Sequence, residues 1–263
     1  RIPIEISRSK FIKSMVMLPV GASSPVAAIG FYWERSHTPT PEEVHLLQML
    51  ADSTAAAMKA VAKARRSAAR NDRLTAQRAS MLKVTRSSSM IEGKQRAVVR
   101  LIAEELAKVT EGTRTSVWLL DQERDRMICE TVYETTSNRH LSRKSAFDRH
   151  QYPKYFAWLE KGDTLEIDTV EDPGCEELVD SYLRPNEIKS FLSVKIHDKD
   201  GFRGVINVED SREGRLWMDD EKHFVLSLSH QLEIALSTGH RMSAEGQLAE
   251  INGRLDQLVR ERT

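Results

Sequence analysis

A strand-like phrase occurs twice in this chain, as IKSMVMLPV over residues 12–20 and as IKSFLSVKI over residues 188–196. A repeat constrains a fold more than any single motif, because it defines the building block before any element is assigned. The likeness runs past the opening phrase. Ser14 aligns with Ser190 at an offset of 176, Gly30 of AAIGFYW with Gly204 of FRGVINV at 174, and Glu42–Glu43 with Asp220–Glu221 at 178. The last offset also places Leu47, Leu50 and Met58 on Val225, Leu228 and Leu236. Each copy reads strand, turn, strand, loop, helix.

In the second copy Ile188, Leu192, Val194 and Ile196 fall on one face, with Phe191, Ser193 and Lys195 on the other. This is the period-two alternation of a strand whose faces meet different surroundings. After the polar turn HDKDG, Phe202, Gly204, Ile206 and Val208 alternate with Arg203, Val205 and Asn207, which predicts an antiparallel hairpin. Acidic residues then open a long helix, where they suit the positive end of its dipole.

Upstream, residues 94–112 have helical apolar spacing and stop at Gly112. Residues 115–121 and 127–133 read as strands, 152–163 as a short helix, 164–170 as a strand, and 176–183 as a short helix ending before Pro185. The order predicts an α+β domain with an antiparallel central sheet flanked by long helices.

That order, with the ending IKSFLSVKI…GVINVED…DDEKHFVLSLSHQLEIAL, resembles a GAF domain. The resemblance divides the chain in four. Residues 1–62 are similar to the C-terminal half of a first GAF domain, 63–90 are a linker helix and 91–240 a complete second GAF domain. Residues 241–263 begin a coiled-coil connector to an output domain. Such tandem arrangements imply a cytoplasmic sensory module of a bacterial signalling protein. It would relay signals along dimeric helices to an output domain in cis, a histidine kinase first among the candidates.

The remaining features fit that frame. Ala-rich residues 53–84 favour helix, and a break is expected near Thr85–Ser89. Leu248, Ile251, Leu255 and Leu258 follow 3, 4, 3 spacing, the seam of a two-heptad coiled coil and a surface for a homodimer. Basic and acidic residues balance at 39 each, so overall charge gives no pull toward nucleic acid. The basic stretch Lys59–Arg86 carries nine cations over several helix faces with no aromatic among them; a solvated linker is favoured over a nucleic-acid site. No apolar run suggests a membrane segment. Two cysteines, Cys129 and Cys175, make no disulfide framework, and a reducing compartment is expected.

Catalytic motifs are not found, and the reading is non-enzymatic. His230 lacks the following acid of a phospho-acceptor histidine, since Gln231 stands there. Cyclic-nucleotide-binding GAF domains carry an Asn-Lys pair where this chain has Asp210-Ser211. Cys175 lies near the region of bilin attachment, but Glu176 follows it where His often stands. The face opposite the long helices is the expected effector site. It should hold a small polar ligand through Phe156, Cys175, Tyr182, Phe191, Ser193 and Asn207. The rival reading is a filled, purely structural dimerisation domain. The sequence names no cofactor.

Overall fold

A computed structural model describes residues 12–21, 23–141, 145–162, 164–167, 176–212 and 214–261. The chain divides into two compact units, Arg1–Asp72 and Arg73–Thr263.

In the first unit, β1 (Ser14–Val20) pairs antiparallel with β2 (Ala27–Trp33), and these two form a sheet of their own. Helix α1 (Pro41–Thr85) follows, with Glu42 and Glu43 in its first turn. Thr40 and Glu43 cap it reciprocally: Thr40 N–H donates to Glu43 Oε2 at 2.8 Å and Glu43 N–H to Thr40 Oγ1 at 3.2 Å. Ala51 and Ala55 of α1 are buried, whereas Leu50 and Met58 are exposed.

In the second unit, the last turns of α1 end at Thr85, as the expected break requires. Ser87 caps the four-residue α2 (Ser88–Ile91), and Gly93 turns the chain into α3 (Gln95–Thr110). The strands β3 (Arg114–Leu120), β4 (Arg126–Glu134), β5 (Arg139–Leu141), β6 (Ala146–Asp148), β7 (Thr164–Ile167), β8 (Ser190–Asp198) and β9 (Gly201–Asp210) form one antiparallel sheet. Its order is β5-β4-β3-β9-β8-β7, with β6 also on β4. Helix α4 (Pro153–Lys161) precedes β7. The three-residue α5 (Glu176–Leu178) runs into a π-turn, Val179–Leu183, and a 3-10 turn, Arg184–Asn186. Helix α6 (Asp219–Glu261) closes the chain.

The sheet has two differently furnished faces. Val117, Leu119, Leu192, Val194, Ile196, Ile206 and Val208 pack against Val98, Ile102 and Leu106 of α3 and Val225, Leu228 and Leu232 of α6. Each fully buried side chain of this size contributes about 1.5–3 kcal/mol relative to exposure. On the other face Trp118, Leu120, Met127, Phe147, Tyr155, Phe156, Phe191 and Val205 form a second cluster under α4 and α5.

Several expectations need correction. Ile188 precedes β8 and joins the second cluster instead of the helix-facing one. Phe202 also packs there, because a register shift at Ile196–His197 breaks the alternation. The two small strands β5 and β6 are additional to the expected order. Pro185 sits inside the 3-10 turn, since its fixed φ suits that position.

The repeat itself is shifted. Ser14 faces Trp33 across the first hairpin and Ser190 faces Asp210 across the second; Val20 faces Ala27, and Ile196 faces Gly204. With Ser14 matched to Ser190, AAIGFYW therefore corresponds to GVINVED at an offset of 177, and Gly30 occupies the place of Asn207 rather than Gly204. Residue identity misled the alignment; hydrogen-bond register decides it. Met17, Gly30 and Tyr32 thus stand where the second hairpin has Ser193, Asn207 and Glu209. A Cβ on Gly30 would lie 2.9 Å from Met17 Sδ and 2.4 Å from the Tyr32 hydroxyl, so both side chains close over it.

Candidate functional site

Strand register assembles the site. Ser116, Asn207 and Ser193 lie abreast on β3, β9 and β8, and the neighbouring row is Arg114, Glu209 and Phe191. All six point to the face away from α3 and α6, and all are at least nine-tenths buried. Tyr182 reaches this cluster from the π-turn, a wide turn of the kind that often marks functional segments.

Glu209 is the hub. Its Oε1 accepts from Ser116 Oγ at 2.6 Å and from Tyr182 Oη at 2.6 Å, while Trp118 Nε1 donates to Ser116 Oγ at 2.9 Å. Its Oε2 is 3.3 Å from Arg114 Nε, an ion pair without hydrogen-bond alignment. Arg114 Nε and Nη2, Ser193 Oγ, Asn207 Oδ1 and Glu209 Oε2 all lack a hydrogen-bond partner. An unpartnered buried polar atom costs about 1–3 kcal/mol, so this density of them argues for chemistry beyond packing. Burial first, and then the Glu209 charge, push the Tyr182 phenol well above its ordinary pKa, with Arg114 opposing. The phenol is therefore a neutral donor at physiological pH.

Tyr182 also covers the ion pair. The Arg114 guanidinium carbon is 6.0 Å from the centre of its ring, which packs edge-on to Trp118 at 5.7 Å and Phe147 at 5.3 Å. A cavity of about 10 Å³ remains between Phe147, Tyr155, Leu178, Tyr182, Phe191, Asn207 and Glu209, room for about one water.

Of the expected ligand residues, Tyr182, Phe191 and Asn207 line this cavity. Ser193 is the cross-strand neighbour of Asn207. Phe156 packs in the same apolar cluster, with the Arg149 guanidinium 4.7 Å from its ring centre, but does not line the cavity. Cys175 lies outside the described residues. Sequence reasoning missed Arg114, Ser116 and Glu209. The alternation of Ser116 and Trp118 against Val117 and Leu119 held a signal for one of them; nothing local marked the pairing of Arg114 with Glu209. Among the described residues no group of three or more His, Cys, Asp or Glu could hold a metal, and no helix is long and apolar enough to cross a membrane.

One sheet with long helices on one face and an enclosed polar cluster under short helices on the other defines a three-layer α+β domain. Residues 96–236, more than half of the chain, match the GAF domain model, and the chain belongs to that family. Similar solved structures include the phycoerythrobilin-bound GAF domain of a cyanobacterial phytochrome, with 16% identity and a TM-score of 0.53, covering 64% of this chain and 97% of that one. The phycocyanobilin-bound GAF domain of a cyanobacterial phytochrome shares 17% identity with a TM-score of 0.52, covering 63% and 96%. A bacteriophytochrome from R. palustris shares 9% identity with a TM-score of 0.53, covering 72% of this chain and 41% of that one. No curated protein sequence matches the chain.

Proposed function

We propose that this chain is a sensory segment of a bacterial signalling protein, in which the second unit binds a small polar effector on its enclosed face. The observation that carries the reading is the buried, half-satisfied cluster of Arg114, Ser193, Asn207 and Glu209. The same sheet packs its other face on α6, so a change at the effector face alters the support of that helix. The first unit serves as part of a preceding GAF domain. Its Leu50 and Met58 are exposed where their counterparts Leu228 and Leu236 are buried.

Output passes along α6. Leu248 and Ile251 are exposed at 59% and 54% and lie on the heptad seam that would pair two copies. The output domain in this reading is a histidine kinase, and the segment itself performs no catalysis. The incoming chain is tied to α6 as well: Arg73 Nε donates to Asp220 Oδ2 at 3.0 Å, and Gln77 Nε2 to the Asp220 carbonyl at 3.2 Å.

Mass spectrometry of small molecules released from the purified protein, with light scattering for mass, tests the proposal. A stoichiometric compound lost on Asn207→Leu substitution, and a dimeric mass, are expected. A monomer with no compound bound, and no stabilisation by any small molecule in a metabolite screen, would overturn it. A second reading, a ligand-free dimerisation domain, draws on the small size of the cavity; it predicts the dimer without the compound.

A further inference from the structure

The chemistry of the enclosed cluster defines the kind of molecule it takes. One edge of the Arg114 guanidinium, Nη2 together with the Nε that lies 3.3 Å from Glu209 Oε2, makes no hydrogen bond, and the side chain is 7% exposed. That edge is the geometry that grips a carboxylate through two parallel hydrogen bonds. Glu209 Oε2, the oxygen of the ion pair, and Asn207 Oδ1 accept no hydrogen bond and are suited to an ammonium group. The pair is neutral as a whole. A ligand with one charge would leave a net charge buried, which is costly, whereas a zwitterion laid head to tail along the pair keeps the balance.

Access is the second part. The cavity accommodates about one water, so a larger guest needs a lining side chain to move. Phe147, Tyr155, Leu178 and Phe191 are all buried, while Tyr182 is half-buried and sits on the π-turn. Its hydroxyl donates to Glu209 Oε1, a latch that holds its ring beside Arg114 and over the ion pair.

We propose that Arg114 and Glu209 together are the receptor for a small zwitterion of the α-amino acid class, with Tyr182, latched to Glu209 Oε1, as the gate whose ring swings aside to admit it. This rests on the reading that this face holds a ligand. The carboxylate binds Arg114, the ammonium binds Glu209 and Asn207, and an apolar side chain enters among Phe147, Tyr155 and Phe191.

Calorimetric titration of the full chain with glycine, L-alanine, L-leucine and L-phenylalanine tests it. Isoamylamine and 4-methylpentanoate serve as leucine analogues stripped of one charge each. At least one amino acid should bind, with both stripped analogues at least tenfold weaker than leucine. Tyr182→Phe keeps the ring but removes the hydrogen bond that latches it over the pair, so it should bind about tenfold tighter. Equal binding of a singly charged analogue overturns the zwitterion assignment. Unchanged affinity in Tyr182→Phe overturns the gate while leaving the site. No binding of any amino acid to wild type, Tyr182→Phe or Tyr182→Ala overturns the whole inference; a co-purified compound of other chemistry would then still support the effector reading above.

Discussion

Gly93 and Gly239 meet backbone to backbone. A Cβ on Gly93 would lie 2.8 Å from Gly239 Cα and N, and a Cβ on Gly239 would lie 2.8 Å from the Gly93 carbonyl oxygen. Gly93 also has φ +59°, the left-handed region. Neither neighbour is a flexible side-chain end, so relief requires the junction between α2 and α3 to move away from α6.

The consequence is a reversal of sign along one helix. Gly246→Ala, in open space on the exposed arm of α6, should favour the local helix by about 0.5–1 kcal/mol and leave the unfolding midpoint no lower. Gly239→Ala should instead destabilise by about 1–3 kcal/mol through overpacking. Urea midpoints of the two variants check this; an unlowered midpoint in Gly239→Ala would refute the tight crossing.

Asp210 predicts the acid limb of stability. Burial works to raise its carboxyl, but hydrogen bonds from the Arg212 side chain and backbone and from Arg215 outweigh this and hold its pKa below the ordinary value. The stability it confers is complete above the unfolded value of about 3.9 and is lost as pH falls through the lower folded value. Asp210→Asn should cost about 1–3 kcal/mol at pH 7 by removing the buried charge that Arg212 and Arg215 share, although Arg215 keeps Glu221. The gap to wild type should close as pH drops below about 4, read from denaturant unfolding at stepped pH.

Ser87 holds the junction before α2. Its Oγ accepts from Met90 N–H at 3.2 Å and donates to the Val84 carbonyl at 2.8 Å. Ser87→Ala should cost about 1 kcal/mol and raise amide hydrogen exchange at Met90 and Ile91, with exchange in β8 and β9 changing less.

Paired Leu248→Asp and Ile251→Asp substitutions place charges on the exposed seam of α6. The dimer proposed above should weaken at least tenfold by sedimentation, while the thermal transition of the second unit stays within about 2 °C, because the arm lies outside its core. An unaltered dimer would place the contact elsewhere.

The sequence made legible whatever was written in local period. Leu192, Val194 and Ile196 alternate, and they face the helices as read. Phe202 escaped because the bulge at Ile196–His197 is set by strand pairing, not by composition. Arg114 and Glu209 escaped for a related reason: they lie far apart in the chain, at strand ends that read as polar margins. Register alone brings them together, and register is a tertiary fact. The same limit made Gly30 look like the counterpart of Gly204.

Tyr32 and Met17 closing over Gly30 therefore set the first hairpin apart from the second. The first hairpin shares the register of the second, but on that side it carries a thioether and a phenol ring where the second carries Ser193, Asn207 and Glu209. Any contact made on that side is governed by shape and apolar area, where the second hairpin offers charge and hydrogen bonds.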